Sequence, residues 1–272
     1  MNIATLRKNR RDFLRTALGA GALLATLAEQ IAEAQDAKPT LGELMDDLVS
    51  ANRILYDQGV VDGFGHISAR DPQRSDRYWL ARSIAPSLVT NKDLLQYDLD
   101  SNPINAQGQR SYLERFIHGE IYRLRPDVMA VIHSHSTSVV PFAATNVDLK
   151  PIFHMAGFLT DVKRWDIRKA TGQNTDMLVR SGALGESMAK ALGNSSVVLM
   201  RGHGLTVVGA SIKEVVFRSV YTEVNARVQA QAIGLGGPVE YLNKEEAEMA
   251  AAANVPNYDR PWDLWKRRIG AR

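Results

Sequence analysis

Apolar positions along this chain change their period several times, and the changes mark its elements. Leu41, Leu44, Leu48 and Leu55 recur at helical spacing behind a capping-box sequence, Thr40-Leu41-Gly42-Glu43, and predict a helix ending near Gly59. Gly63 to Arg70 (GFGHISAR) joins a glycine-rich turn to a short strand, Tyr78 to Ala81 reads as a second strand, and Leu94 to Leu99 as a third. Helical spacing returns at Leu113, Ile117, Ile121 and Leu124, which predicts a helix over 114–125 stopped by Pro126. Ser181 to Leu192 is another helix, closed by Gly193, and Ser211-Ile212-Lys213-Glu214 caps a longer one with Phe217, Val220, Val224 and Val228 as its core stripe. Past Gly234 come a short Ala/Glu-rich helix over Glu245 to Ala253, a break from Pro256 to Pro261, and a basic final helix. Its apolar stripe of Trp262, Trp265 and Ile269 is expected to dock on its own domain or on a neighbouring subunit.

The stretch Val128 to Ser136 (VMAVIHSHS) alternates with a period of two, so Met129, Val131, His133 and His135 share one face of a strand. Two imidazoles held two residues apart on a rigid pleat can reach one divalent ion, and neutral nitrogen suits borderline metals. His203, in the run Val197 to Val208 (VVLMRGHGLTVV), is the candidate third ligand, because Gly202 and Gly204 let the backbone turn sharply and bring its ring close to another strand. A packed or surface role is the plain alternative for each histidine taken singly. Glu114 and His118 stand four apart on the predicted helix that runs into the histidine strand. The carboxylate of Glu114 is either a favourable N-terminal charge or a general base beside the ion. His154 either lines the pocket or packs in an apolar loop, and Tyr221 reads as an interior side chain.

The 272 residues are 45% hydrophobic and contain no cysteine, so a metal here must use His, Asp, Glu or water, and disulfides are excluded. The net charge of +3 is unevenly spread. Residues 1–34 hold Arg7, Lys8, Arg10, Arg11 and Arg15 against Asp12, Glu29 and Glu33, which leaves the rest near neutrality and gives no basic surface for nucleic acid. Asn9-Arg10-Arg11-Asp12-Phe13-Leu14-Arg15 has the twin-arginine form, an apolar run follows from Thr16 to Ala28, and Ala32-Glu33-Ala34 offers a small-x-small cleavage site. The apolar run is shorter than the roughly 20 residues of a spanning helix. A signal peptide over 1–34, a mature domain over 35–272, periplasmic or exported localisation and no stable membrane insertion are the resulting expectations.

The segment from Glu114 through Ser136 (ERFIHGEIYRLRPDVMAVIHSHS), followed by MRGHGLTVVG, resembles the class II aldolase/adducin superfamily, with its Glu-x18-His-x-His spacing and a later Gly-His-Gly turn. The resemblance covers roughly Leu41 to Ala232. It implies a three-layer α/β/α sandwich around a largely antiparallel sheet, and a homotetramer with active sites near subunit interfaces. It also implies Glu114 as catalytic acid/base and His133, His135 and His203 as ligands of one divalent ion per subunit, zinc ahead of manganese or iron. Positions that bind phosphate in the family's sugar-phosphate aldolases correspond here to Gly65-His66, Arg82-Ser83 and Tyr112-Leu113. That makes His66, Arg82 and Ser83 candidate substrate-binding residues and argues against a phosphorylated sugar, since the Arg82 fork also suits a carboxylate. GFGHIS and the segment starting at Glu114 look most like the branch of decarboxylases acting on hydroxylated aromatic dicarboxylates. The expected function is a metal-dependent carbon–carbon lyase, by decarboxylation or retro-aldol cleavage of a small carboxylated hydroxy compound. The alternatives are a non-haem iron oxygenase using the same triad and a non-catalytic adducin-like binding domain.

Overall fold

Along β4 (Ala130–Ser134), Ala130 and Ile132 enter one apolar core while Val131 enters a second on the opposite face, so the strand is covered on both sides. The computed structural model describes residues 39–271, and the signal expected over 1–34 lies outside the described residues. Among the described residues, β1 (His66–Arg70), β2 (Arg77–Ala81), β3 (Leu94–Asp98), β4, β5 (Val162–Trp165), β6 (Val197–Met200) and β7 (Gly204–Gly209) form one sheet in the order β3-β2-β1-β4-β7-β6-β5. Every neighbouring pair is antiparallel except β5 with β6.

The helices are α1 (Leu41–Asp57), α2 (Phe116–Leu124), α3 (Val140–Ala144), α4 (Ile167–Thr171), α5 (Gly182–Leu192), α6 (Ile212–Gly234), α7 (Lys244–Asn254) and α8 (Asp259–Arg268). Leu48 and Ile54 of α1, Val215 and Val216 of α6 and Trp262 of α8 pack with Ala130 and Ile132. Ile117 and Ile121 of α2 and Met188 and Leu192 of α5 pack with Val131 on the other face. Each such fully buried side chain contributes about 1.5–3 kcal/mol. The expected three-layer α/β/α sandwich with a largely antiparallel sheet is therefore the observed architecture. No helix among the described residues is long and apolar enough to cross a membrane.

Several local expectations need correction. The helix predicted over 114–125 begins at Phe116; Glu114 sits in a preceding 3-10 turn at φ −92°, ψ 18°, outside helical geometry. The run Val197 to Val208 is a hairpin of β6 and β7, with His203 in the turn between them. The break expected from Pro256 to Pro261 is shorter, because Pro261 falls in the first turn of α8, where a missing N–H removes no helical bond. The stripe expected on α6 is mixed in its second half: Val224 and Ala226 pack on the core, but the helix also buries Thr222, Glu223, Asn225 and Gln229. Asn225 Nδ2 donates to Lys150 O (2.8 Å) and Gln229 Nε2 to Asp148 O (2.7 Å), supplying an irregular loop with hydrogen bonds its backbone would otherwise lack. Trp262 and Trp265 are buried on their own domain, the first of the two placements expected for that stripe.

Candidate active site

Two glycines determine where the histidines meet. At Gly204 a β-carbon would lie 2.0 Å from Ser134 O, so only a residue without a side chain lets the start of β7 touch the end of β4. That contact brings the turn carrying His203 against His135. Gly65, at φ +94° and with a would-be β-carbon 3.1 Å from His133 O, does the same for the approach of β1. β1 then pairs in register with β4, His66 opposite His133.

His133, His135, His203 and Glu114 come together. Each offers one ligand atom, and all of these atoms lie within 4.8 Å of one another. His133 Nε2 is 3.2 Å from His135 Nε2, which is 3.0 Å from His203 Nε2. Glu114 Oε2 is 3.5 Å from His133 Nε2 and 3.4 Å from His203 Nε2. Four ligands about 2.1 Å from one tetrahedral ion would stand about 3.4 Å apart. The outer nitrogens are held by backbone: His133 Nδ1 meets Leu205 O at 3.1 Å and His203 Nδ1 meets Met177 O at 2.8 Å. Neutral rings donating there turn bare Nε2 lone pairs toward one another, an arrangement a cation relieves. The donor set thus fits a divalent ion, with Glu114 standing inside the ligand cluster rather than to one side of it.

The electrostatics agree. Burial, followed by the neighbouring His133 and His203, pushes the His135 imidazole down to about 4, so it stays neutral near pH 7. Burial alone would raise the Glu114 carboxyl, but the adjoining His133 and His203 outweigh it and hold the group well below the carboxylate range, so it joins the rings as a negatively charged oxygen donor. His203 is raised, since Glu114 more than offsets the effect of burial. Val179 N–H donates to Glu114 Oε1 at 2.9 Å, leaving Oε2 to face the rings.

His66 is buried beside this cluster, its ring 5.2 Å from that of His133 and 4.6 Å from Tyr112. Phe64, 69% exposed, stands 6.4 Å from the His135 ring. Arg82 is tied through Nε to Asp93 Oδ1 (2.6 Å) and lies within electrostatic reach of Tyr112. Ser83 is exposed and donates its backbone N–H to Arg110 O. Among the described residues, no hydrogen bond or ion pair joins Arg82 or Ser83 to the His/Glu cluster. His154 is exposed and borders a separate groove with Phe217, Tyr221 and Leu264, so the pocket-lining role weighed for it is not what the structure places there. Tyr221 packs on Phe217 at 4.6 Å but is only half-buried, at the border of that groove, so the interior placement expected for it holds in part.

Sequence reasoning missed two supports, Met177 and Glu223, while the family pattern at Asp166 marks a third as a structural turn. Met177, at φ 71° in the left-handed region, carries the carbonyl that orients His203, and a methionine gives no sequence signal for that conformation. Buried Glu223 accepts hydrogen bonds from Ser136 and Ser138, fixing the chain just after His135. Asp166 caps α4 and pairs with Arg201 Nε at 2.8 Å, steadying the turn before His203.

A mostly antiparallel sheet between helical layers thus gathers three imidazoles and a carboxylate into one candidate metal site. The model described as Class II Aldolase and Adducin N-terminal domain matches residues 46–230, and the chain belongs to that family. It is similar to decarboxylase tropJ of Talaromyces stipitatus, 37% identical over 244 residues that make up 81% of this chain and 92% of that protein. It is also similar to the 3,4-dihydroxyphthalate decarboxylase of Arthrobacter keyseri, 31% identical over 240 residues, 81% of this chain and 92% of that one. The crystal structure of an aldolase II superfamily protein from Pseudomonas syringae superposes with a TM-score of 0.72 at 22% identity, covering 88% of this chain and 96% of that chain. With its family and site together, the chain is a lyase.

Proposed function

We propose that this chain decarboxylates a small hydroxylated aromatic acid, using a divalent ion, zinc first, held by His133, His135 and His203 with Glu114 beside them. The observation that carries the reading is the set of four ligand atoms within 4.8 Å of one another, in a chain whose similar proteins include named decarboxylases. A bound divalent ion would supply Lewis-acid stabilisation of negative charge on a substrate oxygen.

The residues of the chain account for the rest. Glu114 is ionised near neutral pH, the state a base starts from, and would take the proton of a substrate hydroxyl whose own acidity a bound ion raises. It then returns that proton to the ring carbon as carbon dioxide departs, and the phenolate left behind recovers a proton from water. Phe64 near His135 and Tyr112 against His66 are the aromatic faces nearest the cluster that could meet a flat ring. The Tyr112 hydroxyl is engaged with Ile84 O, so this side chain contributes its face.

The test is a screen of the zinc-loaded protein against 3,4-dihydroxyphthalate, other hydroxylated aromatic acids and aliphatic hydroxy-carboxylates, with carbon dioxide release as the readout. Turnover of an aromatic acid that persists under nitrogen is the expected result; turnover that appears only with the iron-loaded protein in air would favour an iron oxygenase, and exclusive cleavage of aliphatic hydroxy acids an aldolase. We further read residues 1–34 as a twin-arginine export signal and the assembly as a homotetramer. Arg10→Lys combined with Arg11→Lys should abolish export of the full chain, and light scattering should give four times the chain mass.

A further inference from the structure

β1 turns His66, Ser68 and Arg70 toward α2, and the first two enter a hydrogen-bonded row that the metal-ligand cluster does not use. His66 Nδ1 lies 2.7 Å from His118 Nε2, His118 Nδ1 lies 2.6 Å from Ser68 Oγ, and Ser68 Oγ lies 2.8 Å from the Tyr122 hydroxyl. All four side chains are buried. Each of these contacts holds a single hydrogen, so the whole row must point one way.

Tyr122 decides the direction. Its hydroxyl has a hydrogen to place, Ser68 is its side-chain partner, and the backbone of Val131 also reaches it. Were the row to run from His66 inward, Ser68 would donate to Tyr122 and the phenol hydrogen would be left with the Val131 backbone, which is already paired across the sheet with Ser68 and Val208. In the opposite direction every hydrogen is used: Tyr122 donates to Ser68, Ser68 to His118 Nδ1, and His118 Nε2–H to His66 Nδ1. The proton of neutral His66 then sits on Nε2. That nitrogen has no hydrogen-bond partner among the described residues, and its ring lies between those of His133 and Tyr112.

We propose that Tyr122, Ser68 and His118 are positioning residues that lock His66 as the Nε2–H tautomer, a neutral donor that takes a carboxylate oxygen of the substrate. The substrate half of this inference rests on the carboxylic-acid reading above; the tautomer half does not.

The test uses the full zinc-loaded chain labelled with 15N-histidine, whose long-range proton–nitrogen correlations report which ring nitrogen carries hydrogen, with His66→Gln identifying the signal. His66 should be protonated on Nε2. His118→Gln should keep that tautomer, because its amide N–H can donate to His66 and its carbonyl can accept from Ser68. His118→Met and Tyr122→Phe should each release it into a mixture, and the second serves if the first does not fold. A His66 proton on Nδ1, or one tautomer unchanged across all three variants, overturns the proposal whatever the enzyme turns over. With 3,4-dihydroxyphthalate as substrate, His118→Met should raise KM about tenfold while kcat moves less than about threefold, and His118→Gln should restore KM, as expected for losing one hydrogen bond to a charged group. Equal KM values for the Gln and Met variants overturn the substrate half. Absence of turnover with every acid tried overturns the functional reading and leaves the tautomer measurement to stand by itself.

Discussion

On the face covered by α1 and α6, β1 presents Ile67 and Ala69 and β4 presents Ala130 and Ile132, all apolar. On the face covered by α2 and α5, the same two strands present His66, Ser68 and Arg70, then Val131 and His133. Both faces are buried, so the difference lies in how each satisfies what it buries. The first does so mainly by close packing, with Ser134 at the end of β4 and Asn52 of α1 among its buried polar members. The second must find a partner for every polar atom, as Arg70 does: its guanidinium donates to Ser75 O, Tyr122 O, Arg125 O and Val128 O and lies over the Tyr122 ring, closing the C-terminal end of α2. Cohesion without direction on one side supports direction on the other, and the chemistry sits where directions are fixed.

Perturbing each face in turn should separate these roles. The largest effect is expected from Glu114→Gln, which removes the proton carrier and should lower kcat by about a hundred- to ten-thousand-fold, while a urea melt shows the fold retained. Parent-like turnover would remove Glu114 from the chemistry. Next, Leu48→Ala on the apolar face should cost about 2–5 kcal/mol in the same melt yet leave kcat within about twofold. A proportionate loss of activity would mean the two faces are not separable. Third, dialysis against a chelator should abolish turnover and zinc should restore it, with zinc content per chain measured in parallel.

A smaller effect follows from pH. Burial, then the nearby His133, pushes His118 down to about 3 from its ordinary 6.5. Above 6.5 it is neutral folded and unfolded alike, and the stability is fully present. As pH falls below 6.5 the unfolded chain takes up a proton that the folded chain refuses, so stability drops by up to about 1.4 kcal/mol per pH unit toward pH 3. Glu114, depressed in the fold, adds loss in the same direction below its ordinary range. Melts at pH 7, 6 and 5 should therefore show declining stability, with the Leu48→Ala increment constant across them. The smallest change belongs to exposed Ser83, where Ala should shift stability by less than about 0.5 kcal/mol.

Much of this was legible in the chain. The period of two through Val128 to Ser136 placed His133 on the proper face, and the glycines about His203 announced a tight approach that the 2.0 Å clearance at Gly204 explains. Glu114, matched through the family resemblance, also converges on the histidines, whereas Arg82 and Ser83, matched the same way, bond to Asp93 and Arg110 instead. What escaped notice depends on partners far along the sequence. β5, with Lys163 and Arg164 in its middle, is not assigned by the sequence pattern because an edge strand carries little apolar signal, and its pairing with β6 is parallel. The His66 to Tyr122 row joins residues more than fifty positions apart, which no local pattern reveals. The buried polar half of α6 answers the needs of a loop whose path is set only after folding.

Gly204 leaves no space for even a methyl group, whereas Phe64 and Leu113 stand largely in solvent. Mutational drift is therefore closed at the hinge of the histidine cluster and open along its rim. Descendants of such a chain can exchange one substrate for another by altering outward side chains, while the underlying reaction type is inherited unchanged.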